Sequence, residues 1–166
     1  MIPGRIGGRF EFTAMICTLA WFGTATLAAQ RTDLPSAERA RGAEQVVVGH
    51  VSAVTPTWRD NDFGDRLIVS VVHVVVEETL KGSAPTALDV EVEGGTIGSL
   101  TLHVSDIEPL ARGDRAVFYL QHNRRGGLIP HLRGLGLQKL DAANHVRGSS
   151  VTLDQIRRDV RAGGAQ

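Results

Sequence analysis

The chain has 166 residues and a mass of 17.8 kDa, the size of one ordinary domain, which excludes a multidomain enzyme. With 42% hydrophobic and 22% charged residues, it can bury a core and is neither disordered nor a protein with many membrane spans. The 18 basic and 18 acidic residues cancel, so no strong net field attracts nucleic acid or anionic lipid.

The N-terminal segment has the pattern of a secretory signal peptide. Arg5 and Arg9 precede an apolar run over residues 12–28, and small residues around Ala28 suit cleavage. The pattern predicts a signal peptide over residues 1–29 and a periplasmic or secreted mature protein. A retained anchor is the alternative, but the run is short for a spanning helix, so no stable membrane span is expected after cleavage.

The single cysteine, Cys17, lies inside this segment, and residues 14–16 before it do not fit a lipoprotein site. The predicted mature chain therefore has no cysteine. This excludes thiol catalysis, disulfides and thiolate metal sites in the mature protein.

The mature chain divides into four stretches. Residues 30–43 are polar and predict a flexible lead-in. Residues 44–140 carry strand patterns between turn signals and predict a β-barrel domain. Residues 141–151 form a polar linker, and residues 152–162 predict a C-terminal helix that either packs on the sheet or stands away from it.

The first two strands are rich in valine. The first is expected to end near Val54, and Gly49 inside it predicts a bulge or a sharp bend. Residues 55–65 contain proline, aspartates and glycine and predict a turn. The apolar stretch over residues 67–76 predicts a long central strand, because both of its faces are mostly apolar.

Shorter strands follow. Residues 87–93 alternate between apolar and acidic side chains, and the glycine pair at 94–95 predicts a hairpin connection to a strand over residues 96–104. Further strands are expected at residues 115–121, 128–132 and 135–140. At the C-terminus, Thr152 and Gln155 have capping-box spacing, and the apolar residues on one face of the predicted helix are Leu153, Ile156 and Val160.

These patterns predict a mainly β fold, namely a small antiparallel barrel of five to seven strands with one C-terminal α-helix. The segments at 47–51, 77–82, 94–98 and 110–120 resemble those of bacterial exported proteins with an OB-like barrel, similar to tissue inhibitors of metalloproteinases and netrin-type modules. The resemblance covers residues 44–140. It implies an OB-like fold and an association with matrixin-type metalloproteases, but the mature chain lacks the N-terminal cysteine with which tissue inhibitors reach zinc.

Metal-site patterns are weak. The six histidines are scattered and fit no helical zinc motif. Asp60, Asp62 and Asp65 provide oxygen ligands, but their spacing does not match an EF-hand loop, so a solvated turn is the favoured interpretation and cation binding stays open. No metal-ligating residue is therefore assigned.

Catalytic and nucleotide motifs are not found. The serines lack a nucleophile-elbow context, and the glycine pairs fit hairpin turns better than phosphate loops. No catalytic or cofactor-binding residue and no cofactor is assigned, and the chain is not expected to be an enzyme. Nucleic-acid binding is not expected either, because few aromatic residues remain in the mature chain: Trp58, Phe63, Phe118 and Tyr119.

Charge is uneven along the mature chain. Residues 31–108 contain 6 basic and 13 acidic residues, a net charge of −7, whereas residues 109–166 contain 10 basic and 4 acidic residues, a net charge of +6. Two readings stay open. Either the molecule has two faces of opposite sign, or neighbouring strands pair these charges across the surface.

The sequence therefore predicts an exported, non-catalytic domain that binds a protein or a cell-envelope component. Two alternatives are an accessory protein or inhibitor of a metalloprotease, which rests on the resemblance alone, and an enzyme whose site is assembled only by folding. The sequence does not indicate the partner or the oligomeric state.

Overall fold

The computed structural model describes residues 34–60 and 64–163, so the predicted signal peptide at residues 1–29 lies outside the described residues. Among the described residues, no helix is long and apolar enough to cross a membrane. The elements in this part of the chain are α1 (Ser36–Gly42), β1 (Gln45–Asp60), β2 (Arg66–Lys81), β3 (Ala87–Glu93), β4 (Gly95–Ile97), β5 (Leu100–Leu102), β6 (Arg115–His122), β7 (Leu128–Pro130), a 3-10 helix (Arg133–Gly136), β8 (Leu137–Leu140) and α2 (Leu153–Gly163).

Strand β1 is the centre of the fold. It pairs with β2 along its length, and its residues 45–50 also pair with β6. Val46 and Val48 are buried on one face, and Val47 and Val51 are buried on the other. This double burial explains the valine run, because a strand covered on both faces needs apolar side chains at successive positions.

Gly49 allows β1 and β2 to approach each other closely. The pairing register shifts between Val48 and Gly49, in agreement with the predicted bulge or sharp bend. A Cβ atom at Gly49 would lie 2.6 Å from the carbonyl oxygen of Val75, so any larger residue would push the two strands apart.

The strands pair in a cycle. The order in the main sheet is β1-β2-β3-β7-β6-β8, and β6 also pairs with β1. The fold is mainly β, as predicted, but the sheet is not a regular barrel, because β3 and β7 are joined only by the pair Val90–Leu128. This pair is parallel, which corrects the expected all-antiparallel arrangement. A cycle of five strands cannot alternate direction throughout, so one neighbouring pair must run parallel.

Two strand boundaries differ from the sequence prediction. Strand β1 continues to Asp60 instead of ending near Val54, because the polar residues beyond Val54 still pair with β2. Pro56 is tolerated there, where one edge of β1 is no longer paired with β6. The single strand expected over residues 96–104 is instead the hairpin β4–β5, because Gly98 has a φ of 60° and reverses the chain.

The chain after β7 also differs from the prediction. The strands expected at residues 128–132 and 135–140 are shorter, and the 3-10 helix lies between β7 and β8. Leu132 and Arg133 have φ values of 58° and 55°, which no strand accommodates.

Helix α2 is confirmed and packs on the sheet. The backbone N–H of Gln155 donates a hydrogen bond to Oγ1 of Thr152 at 3.2 Å, as expected for the predicted cap. Leu153, Ile156 and Val160 are fully buried. The linker therefore brings the helix back onto the strands.

Two apolar clusters lie on opposite sides of the sheet. The first fills the interior of the strand cycle, with Phe118 and Leu120 of β6 at its centre. The second lies between the outer face of the sheet and the two helices, and it includes Val48 and Tyr119. The Tyr119 hydroxyl donates to Oε1 of Gln138 at 2.9 Å, and burial raises the pKa of Tyr119 to about 12.

The prediction of a flexible lead-in over residues 30–43 is wrong for residues 36–42, which form helix α1. Seven residues do not form a stable helix alone, so tertiary contacts must hold this one. The Lys81 ammonium donates to the carbonyl oxygens of Ala40 and Ala43, each at 2.7 Å, and satisfies groups that a helix end otherwise leaves without partners. The Arg39 guanidinium also donates to the Leu135 carbonyl.

We expect Lys81→Met to destabilise the protein by about 1–3 kcal/mol, because it removes charged donors from the end of α1. The free energy of unfolding in urea is the measurement. Arg112→Met, at an exposed position, is the matched control and is expected to change it by less than about 0.5 kcal/mol. Equal stabilities of the two variants would contradict this role of Lys81.

Asp114 anchors the start of β6 through an ion cluster. Its carboxylate lies 2.8 Å from Nζ of Lys139 in β8 and 3.2 Å from Nη2 of Arg147. The backbone N–H of Ala111 donates to the same carboxylate at 2.9 Å. Burial by itself raises the pKa of Asp114, but the Lys139 and Ala111 hydrogen bonds and the two positive charges outweigh it and hold the pKa below its ordinary value of 3.8.

A carboxylate whose pKa is lowered by folding stabilises the folded state above its unfolded-state pKa, and this contribution disappears as the pH falls through the folded-state pKa. We expect Asp114→Asn to lower the free energy of unfolding at pH 7 by about 1–3 kcal/mol and to flatten its decline below about pH 4. Urea titrations at several pH values measure both effects.

The exposed Asp154→Asn variant serves as the control and is expected to keep the wild-type pH dependence. An unchanged pH dependence in Asp114→Asn would show that the Asp114 cluster does not contribute to acid sensitivity.

Candidate functional site

Four of the six histidines pair with separate carboxylates, and His131 contacts the side-chain amide of Gln121 instead. His50 contacts Glu77 at 3.2 Å, and His122 contacts Glu44 at 2.6 Å. Similar pairs join His73 to Asp89 and His145 to Asp141. Within residues 34–60 and 64–163, no group of three or more histidine, cysteine or acidic side chains is arranged to hold a metal ion.

The three aspartates of the predicted turn are only partly described. Asp60 is the last residue of β1, Asp65 immediately precedes β2, and Asp62 lies outside the described residues. The carbonyl oxygen of Asp60 accepts a hydrogen bond from the Arg125 guanidinium. Cation binding by these aspartates stays an open prediction.

A cleft of about 650 Å³ lies between the ends of β1 and β2 and the turn that joins β6 to β7. Leu67, Val69 and Ile129 provide apolar surface. The polar and charged groups that line it are Arg59, Asp60, Glu91, Glu93, Asn123 and Arg125. The cleft therefore combines apolar surface with charges of both signs, which suits binding of an amphipathic ligand.

Glu91 of β3 connects two walls of this cleft. Its Oε1 lies 3.5 Å from Nε of Arg59, and its Oε2 accepts a hydrogen bond from Nδ2 of Asn123 at 3.3 Å. Nearby, Oε2 of Glu93 accepts a hydrogen bond from Nη2 of Arg133 at 2.9 Å. These contacts pair both carboxylates with side chains of neighbouring elements, and all four side chains of the two ion pairs stay partly exposed to solvent.

The turn over residues 123–127 is ordered by two backbone hydrogen bonds and by the side chain of Asn123. Oδ1 of Asn123 accepts hydrogen bonds from the backbone N–H groups of Arg125 and Gly127, both at 2.9 Å. Gly126 has a φ of 81°, which suits glycine. Through its contact with the Asp60 carbonyl, Arg125 links this turn to the end of β1.

The aromatic residues do not form a stacking surface in the cleft among the described residues. Phe118 and Tyr119 are fully buried, and Phe63 lies outside the described residues. Trp58 is 37% exposed, but the guanidinium carbon of Arg66 lies 5.3 Å from its ring centre. Trp58 does not line the cleft.

The acidic and basic halves of the sequence are paired in space. Four ion pairs that join them have N–O distances of 2.6–3.3 Å: Glu77–Arg115, Glu78–Arg157, Glu93–Arg133 and Glu108–Lys139. Of the two readings left open by the sequence, the structure favours pairing across the surface over two faces of opposite sign.

The sequence alone did not indicate the cleft. The acidic residues of β3 and the turn between β6 and β7 are far apart in the sequence, and only the fold brings them together. The asparagine that precedes the glycine pair at 126–127 is a signal that could have indicated an ordered turn.

The chain matches no protein-family model. No curated protein gives a significant match either. The candidate site therefore rests on its geometry.

We expect Asn123→Ala to accelerate hydrogen exchange at the amides of Arg125 and Gly127 roughly fivefold or more, because each loses an acceptor that contributes about 1 kcal/mol. Amide exchange followed by NMR is the measurement. Arg124→Ala, at an exposed position in the same turn, is the control and is expected to leave these rates unchanged. Similar rates in the two variants would mean that Asn123 does not order the turn.

Proposed function

We propose that this protein is an exported, non-catalytic binding domain that holds an extended polypeptide segment of a partner protein in the cleft. The observation that carries the proposal is the cleft itself, whose apolar surface lies beside charged side chains of both signs. A polypeptide offers apolar side chains, charges and backbone groups in one extended chain, which is the combination that these surfaces complement.

The charges disfavour nucleic acid as the ligand. Asp60, Glu91 and Glu93 line the cleft and would repel phosphate groups, while Arg59 is already close to Glu91. Binding of single-stranded nucleic acid also relies on exposed aromatic rings on which the bases stack. Among the described residues, no aromatic ring lines the cleft.

The cyclic order of the strands supports an OB-like interpretation of the fold. In OB folds, ligands bind on the face of the second and third strands between the loops that follow the first and fourth. Here the cleft is lined by β2 and β3, by the end of β1, and by the turn after β6. If the five strands of the cycle are OB-like, the cleft occupies the corresponding position.

Export is part of the proposal and rests on the N-terminal sequence pattern. It places the partner in the periplasm or outside the cell. The metalloprotease-accessory alternative stays a prediction from the resemblance, because no contact within the described residues favours it.

Selection of random phage-displayed peptides against the purified protein tests the proposal. We expect selected peptides to bind at least about tenfold more weakly to Glu91→Lys and to Leu67→Ala, because the first reverses a charge and the second removes apolar surface in the cleft. Fluorescence anisotropy with labelled peptides measures the dissociation constants. Arg161→Glu, at an exposed position of α2, is the control and is expected to bind normally.

Peptides that bind both cleft variants as tightly as the wild-type protein would overturn the location of the site. Failure to select any peptide would overturn the proposal that the ligand is a polypeptide. Binding of peptidoglycan fragments, but not of peptides, in the same anisotropy assay would also overturn it.

A further inference from the structure

A second cavity, of about 230 Å³, lies at one end of the strand cycle beside the β4–β5 hairpin. This cavity lies against one face of β2, and the cleft lies against the other face. Val69 lines the cleft, whereas Ser70 and Val72 line this cavity. Glu93 borders both spaces, but they are otherwise lined by different residues.

The lining of this second cavity is mainly apolar. Val72 and Val92 belong to the buried cluster inside the strand cycle, and Leu102 and Val104 contribute from the hairpin and the segment after it. Such a surface favours an apolar ligand, since burial of apolar area supplies the binding free energy.

The polar side chains at this cavity either form hydrogen bonds within the protein or are exposed to solvent. The Ser70 hydroxyl donates a hydrogen bond to the carbonyl oxygen of Gly94 at 2.7 Å, and the Glu93 carboxylate accepts one from Arg133 at 2.9 Å. His103 is exposed to solvent. A charged ligand would therefore lose its hydration without gaining a buried partner of opposite charge.

Glycines determine how the hairpin lies over this end of the fold. Gly94 and Gly95 have φ values of 108° and 135°, and a Cβ atom on Gly95 would lie 2.6 Å from Oγ of Ser70. The backbone N–H of Gly94 donates to the carbonyl oxygen of Ile68 at 2.9 Å. The base of the hairpin is thus fixed against β2, while Leu100 in β5 is 59% exposed.

The size of the cavity limits the ligand. An apolar cavity of about 150 Å³ is large enough to hold a benzene ring. The cavity beside the hairpin is larger, so a single ring with a short alkyl substituent fits within its volume.

We propose that this cavity is a binding site for a small uncharged ligand with one aromatic ring and a short alkyl chain. The ligand lies among Val72, Val92 and Leu102. This site is independent of the polypeptide cleft, because the cavity and the cleft lie against opposite faces of β2.

Titration of the purified protein with n-propylbenzene, followed by methyl NMR, tests this site. We expect saturable shifts of the methyl signals of Val72, Val92 and Leu102, with little change at Val69 or Ile129 in the cleft. Leu102→Trp and Val104→Phe place larger side chains at the cavity and are each expected to weaken binding at least about tenfold.

Leu100→Trp adds the same large side chain at the exposed position of β5 and is expected to bind like the wild-type protein. Dispersed NMR spectra of each variant establish that it is folded, and either blocking variant suffices for the comparison. Shifts that are absent, that do not saturate or that occur only in the cleft would overturn the proposal. Wild-type affinity in a folded blocking variant would overturn it as well. None of these outcomes tests peptide binding to the cleft, so either proposal can fail while the other holds.

Discussion

Residues 45–50 of β1 are paired with β2 at one edge and with β6 at the other, and the valines among them are buried on both faces. A strand in this position must be apolar at successive residues and must leave no backbone group without a partner. The rest of the molecule is arranged around it. The interior cluster forms on one face, and the two helices cover the other.

The cleft follows from the way in which the strand cycle closes. Five strands cannot all run antiparallel to their neighbours in a cycle, and here the parallel contact is limited to Val90 and Leu128. Beyond this single contact, no further backbone pair joins β3 to β7. Side chains and the turn over residues 123–127 line the cleft that lies beside it. Glu91 and Asn123 bridge it through a hydrogen bond at 3.3 Å. The same closure that completes the sheet thus leaves the cleft beside it.

Charge pairing holds the peripheral elements in place. Lys81 satisfies carbonyl groups at the end of α1, Arg157 of α2 contacts Glu78 of β2, and Lys139 pairs with Asp114. Most of the ion pairs are partly exposed and contribute little each, whereas the side chains of Lys139 and Asp114 are 8% and 12% exposed. This pattern explains how the described residues, which contain no cysteine, hold short helices and turns in place. Long side chains reach across strands to backbone groups and carboxylates.

The sequence by itself determined the mainly β character, a bulge or bend at Gly49 and the cap and buried face of α2, because each depends on local periodicity or on one residue type. It did not determine helix α1, the hairpin within residues 96–104, the parallel closure or the two cavities. Seven residues of α1 carry no sustained apolar period and are stabilised by Lys81 and Arg39, which act over distances that no local pattern encodes. Glu91 and Asn123 lie 32 positions apart, so only the tertiary structure could bring them into one site.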